Sequence, residues 1–127
     1  MKRTVALVVL AATFSVALIA APDVTGTWVV EFKRTAADPF DSGPCTFQQD
    51  AGMLKGHCGT DPNTLLLTGR IDDRTVSWEF KSGIAEEITA KFVGELDKDA
   101  TAISGTWSFI DASDGSTGTG LFEARRR

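Results

Sequence analysis

The sequence predicts an all-β fold, an eight-stranded antiparallel up-and-down β-barrel built from residues 22–127. Three observations carry the prediction. Nearly every segment after Asp23 alternates apolar and polar residues with period two, and no segment carries an apolar stripe at helical spacing. Turn-forming clusters separate these segments: Ala51-Gly52, Asp61-Pro62-Asn63, Asp72-Asp73, Ser82-Gly83, Asp97-Lys98-Asp99 and Ser113-Asp114-Gly115. Connections this short join neighbouring antiparallel strands, and a series of sequential hairpins favours a closed barrel, which has no open edge, over a sandwich.

The first segment, "MKRTVALVVLAATFSVALIAA", reads as an export signal over residues 1–21. Lys2 and Arg3 give a basic start, the run Val5 to Ala20 is apolar, and small residues end it, so cleavage is expected after Ala20 or Ala21. The run is shorter than the about 20 residues of a comfortable span, and no basic stop-transfer cluster follows. No membrane span is expected after cleavage, and the mature chain is expected in the periplasm or outside the cell. Losing Lys2 and Arg3 moves the formal charge from −4 to about −6. Roughly 105 residues remain, the size of one domain. The acidic balance argues against nucleic acid as a partner. The terminal Arg125 to Arg127 reads as a solvated tail.

The strands follow in order, with boundaries near 25–33, 44–50, 53–59, 64–71, 75–82, 86–97, 101–111 and 117–125. In "TGTWVVEF" the inward set is Gly26, Trp28, Val30 and Phe32. "CTFQQDAGMLKGHC" is a hairpin with Ala51-Gly52 at its tip. Pairing Asp50 with Met53 brings Phe47 opposite Gly56 and Cys45 opposite Cys58. In an oxidising compartment that juxtaposition predicts a Cys45–Cys58 disulfide, whose loop-closure entropy is worth at most about 3 kcal/mol. In the next hairpin, pairing Ile71 with Val76 puts Gly69 beside Trp78 and gives the indole room. "VSWEFK" alternates cleanly, with Val76, Trp78 and Phe80 on one face. Ile88, Ala90, Phe92, Gly94 and Leu96 share a face of the sixth strand; Ile103, Gly105, Trp107 and Phe109 share one on the seventh. Gly118, Gly120, Phe122 and Ala124 complete the interior.

Gly-Thr-Trp thus occurs on the first strand and again on the seventh, at Gly105-Thr106-Trp107. In a closed barrel only the glycine-rich "TGTG" strand separates the two, so Trp28 and Trp107 are expected near one another over a glycine strip. Trp28, at the start of the first strand, is also expected to close one end, with Trp107 further inside.

These residues carry a resemblance. Gly26-Thr27-Trp28 looks like the Gly-x-Trp opening of the calycin barrels, the lipocalins and avidins. "LTGRIDDRTVSWEFK" is similar to the avidin-type pairing of a Gly-containing strand with a strand bearing an inward Trp. The set Gly26–Trp28, Gln49–Gly56, Asp72–Ser77, Ser104–Trp107 and Gly118–Gly120 more closely resembles bacterial secreted lipocalin-like domains without an assigned activity. The resemblance implies the barrel and a first-strand Trp that caps its closed end under a basic side chain, here from Arg125 or a neighbour; it implies no particular ligand. The inward Tyr, Ser and Asn with which avidins hold biotin have no counterpart, since the chain has no Tyr and its inward set is apolar.

Residues for catalysis are few. His57, the single histidine, falls on the outward face of its hairpin. Cys45, His57 and Cys58 lack a second ligand pair at zinc spacing, and a disulfide consumes both thiols. The carboxylates of Glu86-Glu87, Asp72-Asp73, Glu79 and Glu95 fall in turns or on outward faces. "GSTGTG" precedes no helix that could hold a phosphate. No catalytic, metal or cofactor site is expected. The remaining candidates are the inward aromatics Trp78, Trp107, Phe47, Phe80 and Phe92. Phe40 joins them from "KRTAADPFDSGP", read as a partial lid. They would hold a small apolar or aromatic molecule, because eight-stranded barrels either fill with side chains or enclose one small ligand. The alternative is a solid-core module that serves a protein partner in the cell envelope, as protease inhibitors do.

Overall fold

The structure, a computed structural model, describes residues 22–33 and 41–127, so the expected export signal and Phe40 lie outside the described residues. Eight strands form: β1 (Gly26–Lys33), β2 (Asp41–Asp50), β3 (Met53–Cys58), β4 (Leu66–Asp72), β5 (Thr75–Ser82), β6 (Ile88–Leu96), β7 (Ala102–Asp111) and β8 (Thr117–Arg126). Each pairs antiparallel with the next, and β1 with β8, closing the barrel. The alternating sequence accounts for the closure: each strand has one apolar face, and curling the sheet hides all eight faces together.

The hairpin registers match the residue pattern. Cys45 pairs with Cys58, Phe47 with Gly56 and Asp50 with Met53; Gly69 pairs with Trp78 and Ile71 with Val76. A Cβ at Gly69 would meet the Ser77 carbonyl and the Trp78 backbone, so only glycine lets the two strands pair this closely here. The Cys45–Cys58 disulfide is formed, with the two Cα atoms 4.0 Å apart. The second strand begins earlier than expected, at Asp41 rather than near Pro44. Its extra residues are held by β1, with Val29 opposite Pro44 and Phe32 opposite Asp41.

Among the described residues the barrel has a closed end and an open end. At the closed end Pro22 to Thr25 crosses beneath β1. Val24 is fully buried there, and Gln49 holds this strap by accepting from the Val24 N–H and donating to the Pro22 carbonyl. Trp28 stacks above it and donates its indole N–H to the Val24 carbonyl at 2.9 Å. The guanidinium of Arg126 lies 4.7 Å from the Trp28 ring centroid. It donates to the carbonyls of Asp23, Thr25 and Ala100. The tail reading of the terminal arginines is therefore corrected for Arg126. Pairing of β8 with β1 carries it onto the indole face, where its guanidinium nitrogens reach those three carbonyls.

The expected proximity of the two Gly-Thr-Trp segments is also corrected. Trp28 pairs with Arg126 and Trp107 with Gly120, six positions apart along β8. The strand stagger that closes a barrel moves β7 toward the open end relative to β1. The glycine strip is nevertheless used as expected under Trp107, for a Cβ at Gly120 would meet its indole nitrogen.

Candidate functional site

The interior is a column of rings. Phe47, Trp78 and Phe122 lie deep, and Phe92 is the hub. It stacks on Trp78 at 5.0 Å with 4° between the planes, and it lies 5.9 Å from Phe80, 6.4 Å from Trp107 and 6.2 Å from Phe32. Trp78 also meets Phe47 and Phe122 edge to face. Offset-stacked and edge-to-face pairs are the arrangements aromatic quadrupoles favour. Of the candidates read from the sequence, Phe47, Trp78, Phe92 and Trp107 are buried in this column, and Phe80 is half-buried at its upper end. The structure brings these five together.

Burial is graded along the axis. Trp28, Phe47, Leu54 and Ile103 are fully enclosed toward the closed end. Toward the open end, inward-facing Phe32, Phe80, Phe109 and Leu65 remain partly exposed while packing against the core. Trp107 sits just below, 5.2 Å from Phe32 and stacked on Phe109 at 5.8 Å. Sequence reasoning placed Phe32, Phe109 and Leu65 inward but did not select them as ligand contacts. Periodicity gives the face of a strand, whereas height along the barrel depends on the stagger. The glycines beside these rings are not empty space: a Cβ at Gly118 would strike Phe109.

The three indoles differ in their hydrogen bonding. Trp28 donates to Val24, and Trp107 donates to the Lys33 carbonyl at 3.1 Å. Trp78 Nε1 is buried with no hydrogen-bond partner, alone in this among the described residues.

The polar candidates are dispersed on the outer face. His57 pairs across the sheet with Thr46 and Leu66. Glu79 lies opposite Lys91, 3.8 Å away, and Glu95 accepts from the Thr75 hydroxyl at 2.7 Å, so these two carboxylates do not face each other. Glu87 accepts from the Ala85 N–H. Among the described residues no three His, Cys, Asp or Glu side chains converge on a metal position. The clearest pKa displacements belong to turn aspartates. Asp97 is held below the ordinary carboxylate range first by the Thr101 N–H, helped by the Thr101 hydroxyl, the Ala102 N–H and Arg74. These bonds fasten the β6–β7 turn and form no reactive pair.

The clefts bounded by described residues lie on the wall and rim. One, of about 540 Å³, opens at the barrel mouth between the β3–β4 and β5–β6 connections, with Leu65 and Phe80 in its lining. Two lie on the outer wall, over β4–β6 and over β7–β8.

No protein-family model matches the chain, and no curated protein or solved structure is significantly similar to it. The closed antiparallel barrel is consistent with a calycin-like fold. A disulfide of this kind belongs to an oxidising, extracytoplasmic environment.

Proposed function

We propose that this protein is an exported, non-catalytic binding barrel of lipocalin-like type. It takes one small apolar or aromatic molecule at its open end. The observation that carries the reading is the burial gradient. A barrel built only for stability gains by covering inward rings at both ends alike, since burying such a side chain stabilises by about 1.5–3 kcal/mol. Here the closed end is sealed by a strap, a cation and a Trp, while the rings of Phe32, Phe80 and Phe109 are left part-covered at the mouth. Apolar concavities with a few polar groups are the usual seats of small ligands.

The mutual filling of the interior by rings favours a second reading, a solid-core module that binds a protein through its exterior. Titration with a neutral naphthylamine dye separates the two. Binding at the open end brightens the dye and weakens when Phe80 is changed to Ala. A folded protein whose tryptophan emission responds to no apolar or aromatic probe would leave the solid-core module.

A further inference from the structure

The barrel wall splits at its open end between β4 and β5. The ladder joining them ends at the pair Leu67–Phe80, although β5 continues to Ser82 and stays paired with β6 as far as Ser82–Ile88. The chain on the other side of the split turns away toward β3: the Leu65 carbonyl accepts from the Cys58 N–H at 3.0 Å. Following β3 requires Leu65 to sit at φ +46°, a left-handed conformation that bulky side chains rarely adopt. The opposite flank is the β5–β6 turn, where Glu86 at φ +53° donates its N–H to the Gly83 carbonyl. Between the flanks lies the cleft of about 540 Å³. Leu65, Leu66 and Phe80 make its apolar part, Asn63, Thr64 and Ser82 lie on its polar rim, and Glu79, Lys81 and Glu86 are its charges. Phe80 connects it through Phe92 to the interior ring column.

Among the described residues the charge around this opening is predominantly negative, with Lys81 as the cation in the cleft's own lining. Asp41, Asp61, Glu86, Glu87, Asp111 and Asp114 lie on strand ends and turns of the open end, against Lys33 and Lys81. Lys91 partly neutralises Glu79, whereas no ion pair among the described residues reaches Glu86. The surplus of carboxylates at this end disfavours an anion and draws a cation in. The half-buried Phe80 ring adds a face on which a cation is favourable.

We propose that this lateral cleft of the open end is the seat of the ligand, and that the ligand is an aromatic or apolar molecule carrying a cationic head. The body lies on Leu65 and Phe80, and the head points toward Glu86. This rests on the binding-barrel reading and specifies its site and ligand class.

The test uses three naphthalene probes with one aromatic body and different heads: naphthylmethylammonium, naphthylmethanol and naphthylacetate. At low salt the ammonium is expected to bind tightest and the acetate weakest, with roughly five-fold per charge step. In about 0.5 M NaCl the spread should shrink markedly. Glu86→Gln should bring the ammonium's affinity down toward that of the alcohol. Ser82→Trp, which fills the cleft, should abolish binding of all three with an unchanged melting temperature; Thr64→Trp, on the exposed flank, replaces it if that temperature drops. Equal affinities for the three heads, or binding that survives a filled cleft, would overturn the proposal while leaving a binding barrel with its seat elsewhere. Failure of every probe to bind would overturn the binding barrel as well.

Discussion

At the scale of single residues, Trp78 combines a buried indole, packed against three other rings, with an unsatisfied donor. Trp78→Ala is expected to cost about 3–5 kcal/mol, measured by urea denaturation. Trp78→Phe keeps much of the ring and removes the orphaned N–H, so its cost should be clearly smaller, about 1–2 kcal/mol. Equal losses would show that the indole nitrogen has an acceptor after all. Asp97 supplies a pH signature. Hydrogen bonds from Thr101 depress its folded pKa, so its contribution to stability is present above the unfolded carboxylate pKa of about 3.9 and is lost as pH falls through the lower folded value. Asp97→Asn should therefore be less stable than the native chain at neutral pH, and the gap between their melting temperatures should narrow below about pH 4. The inward direction of Trp78 was readable from the alternation in "VSWEFK". The satisfaction of the three indoles was not, since Val24 and Lys33 reach Trp28 and Trp107 only once the barrel closes.

At the scale of elements, the β2–β3 hairpin is held twice, by its ladder and by its disulfide. The paired change Cys45→Ala with Cys58→Ala should lower stability by at most about 3 kcal/mol and leave the chain folded, because the ladder still restrains the same ends. Unfolding of the double variant would mean that the hairpin depends on its covalent link. The β6–β7 pair is limited instead by backbone approach. A Cβ at Gly105 would meet the Val93 carbonyl and Gly94 Cα, neither of which can rotate away. At Gly118 it would meet the ring of Phe109, which can shift. Gly105→Ala should thus destabilise more than Gly118→Ala, with both inside the about 1–3 kcal/mol usual for overpacking. A reversed order in thermal melts would place the tight point at the β7–β8 seam. Both hairpin registers were legible, since a turn at a known pair of residues fixes every later pairing. The entry of Asp41 to Pro44 into β2 was not, because Gly43 and Pro44 resemble loop residues until β1 lies beside them.

At the scale of the whole molecule, one residue near the C-terminus joins three distant segments. Arg126 holds the strap through Asp23 and Thr25, the β6–β7 turn through Ala100, and the Trp28 ring by its face. Arg126→Ala should open the closed end locally, with faster amide exchange at Val24 and Trp28 and little change in the β4–β5 hairpin. Uniformly faster exchange would show that the clamp secures the entire barrel. The sequence by itself determined the all-β class, the number of strands, their inward faces, two hairpin registers and the disulfide. Those follow from period-two alternation and short turns, which act between residues close along the chain. Only the tertiary structure decided which rings lie at the sealed end and which at the mouth. It also decided that Arg126, among the terminal arginines, supplies the cation expected over Trp28, and that the wall parts between β4 and β5. These features depend on the stagger with which eight strands meet on closing, a relation between residues as far apart as Thr25 and Arg126 that no local pattern encodes.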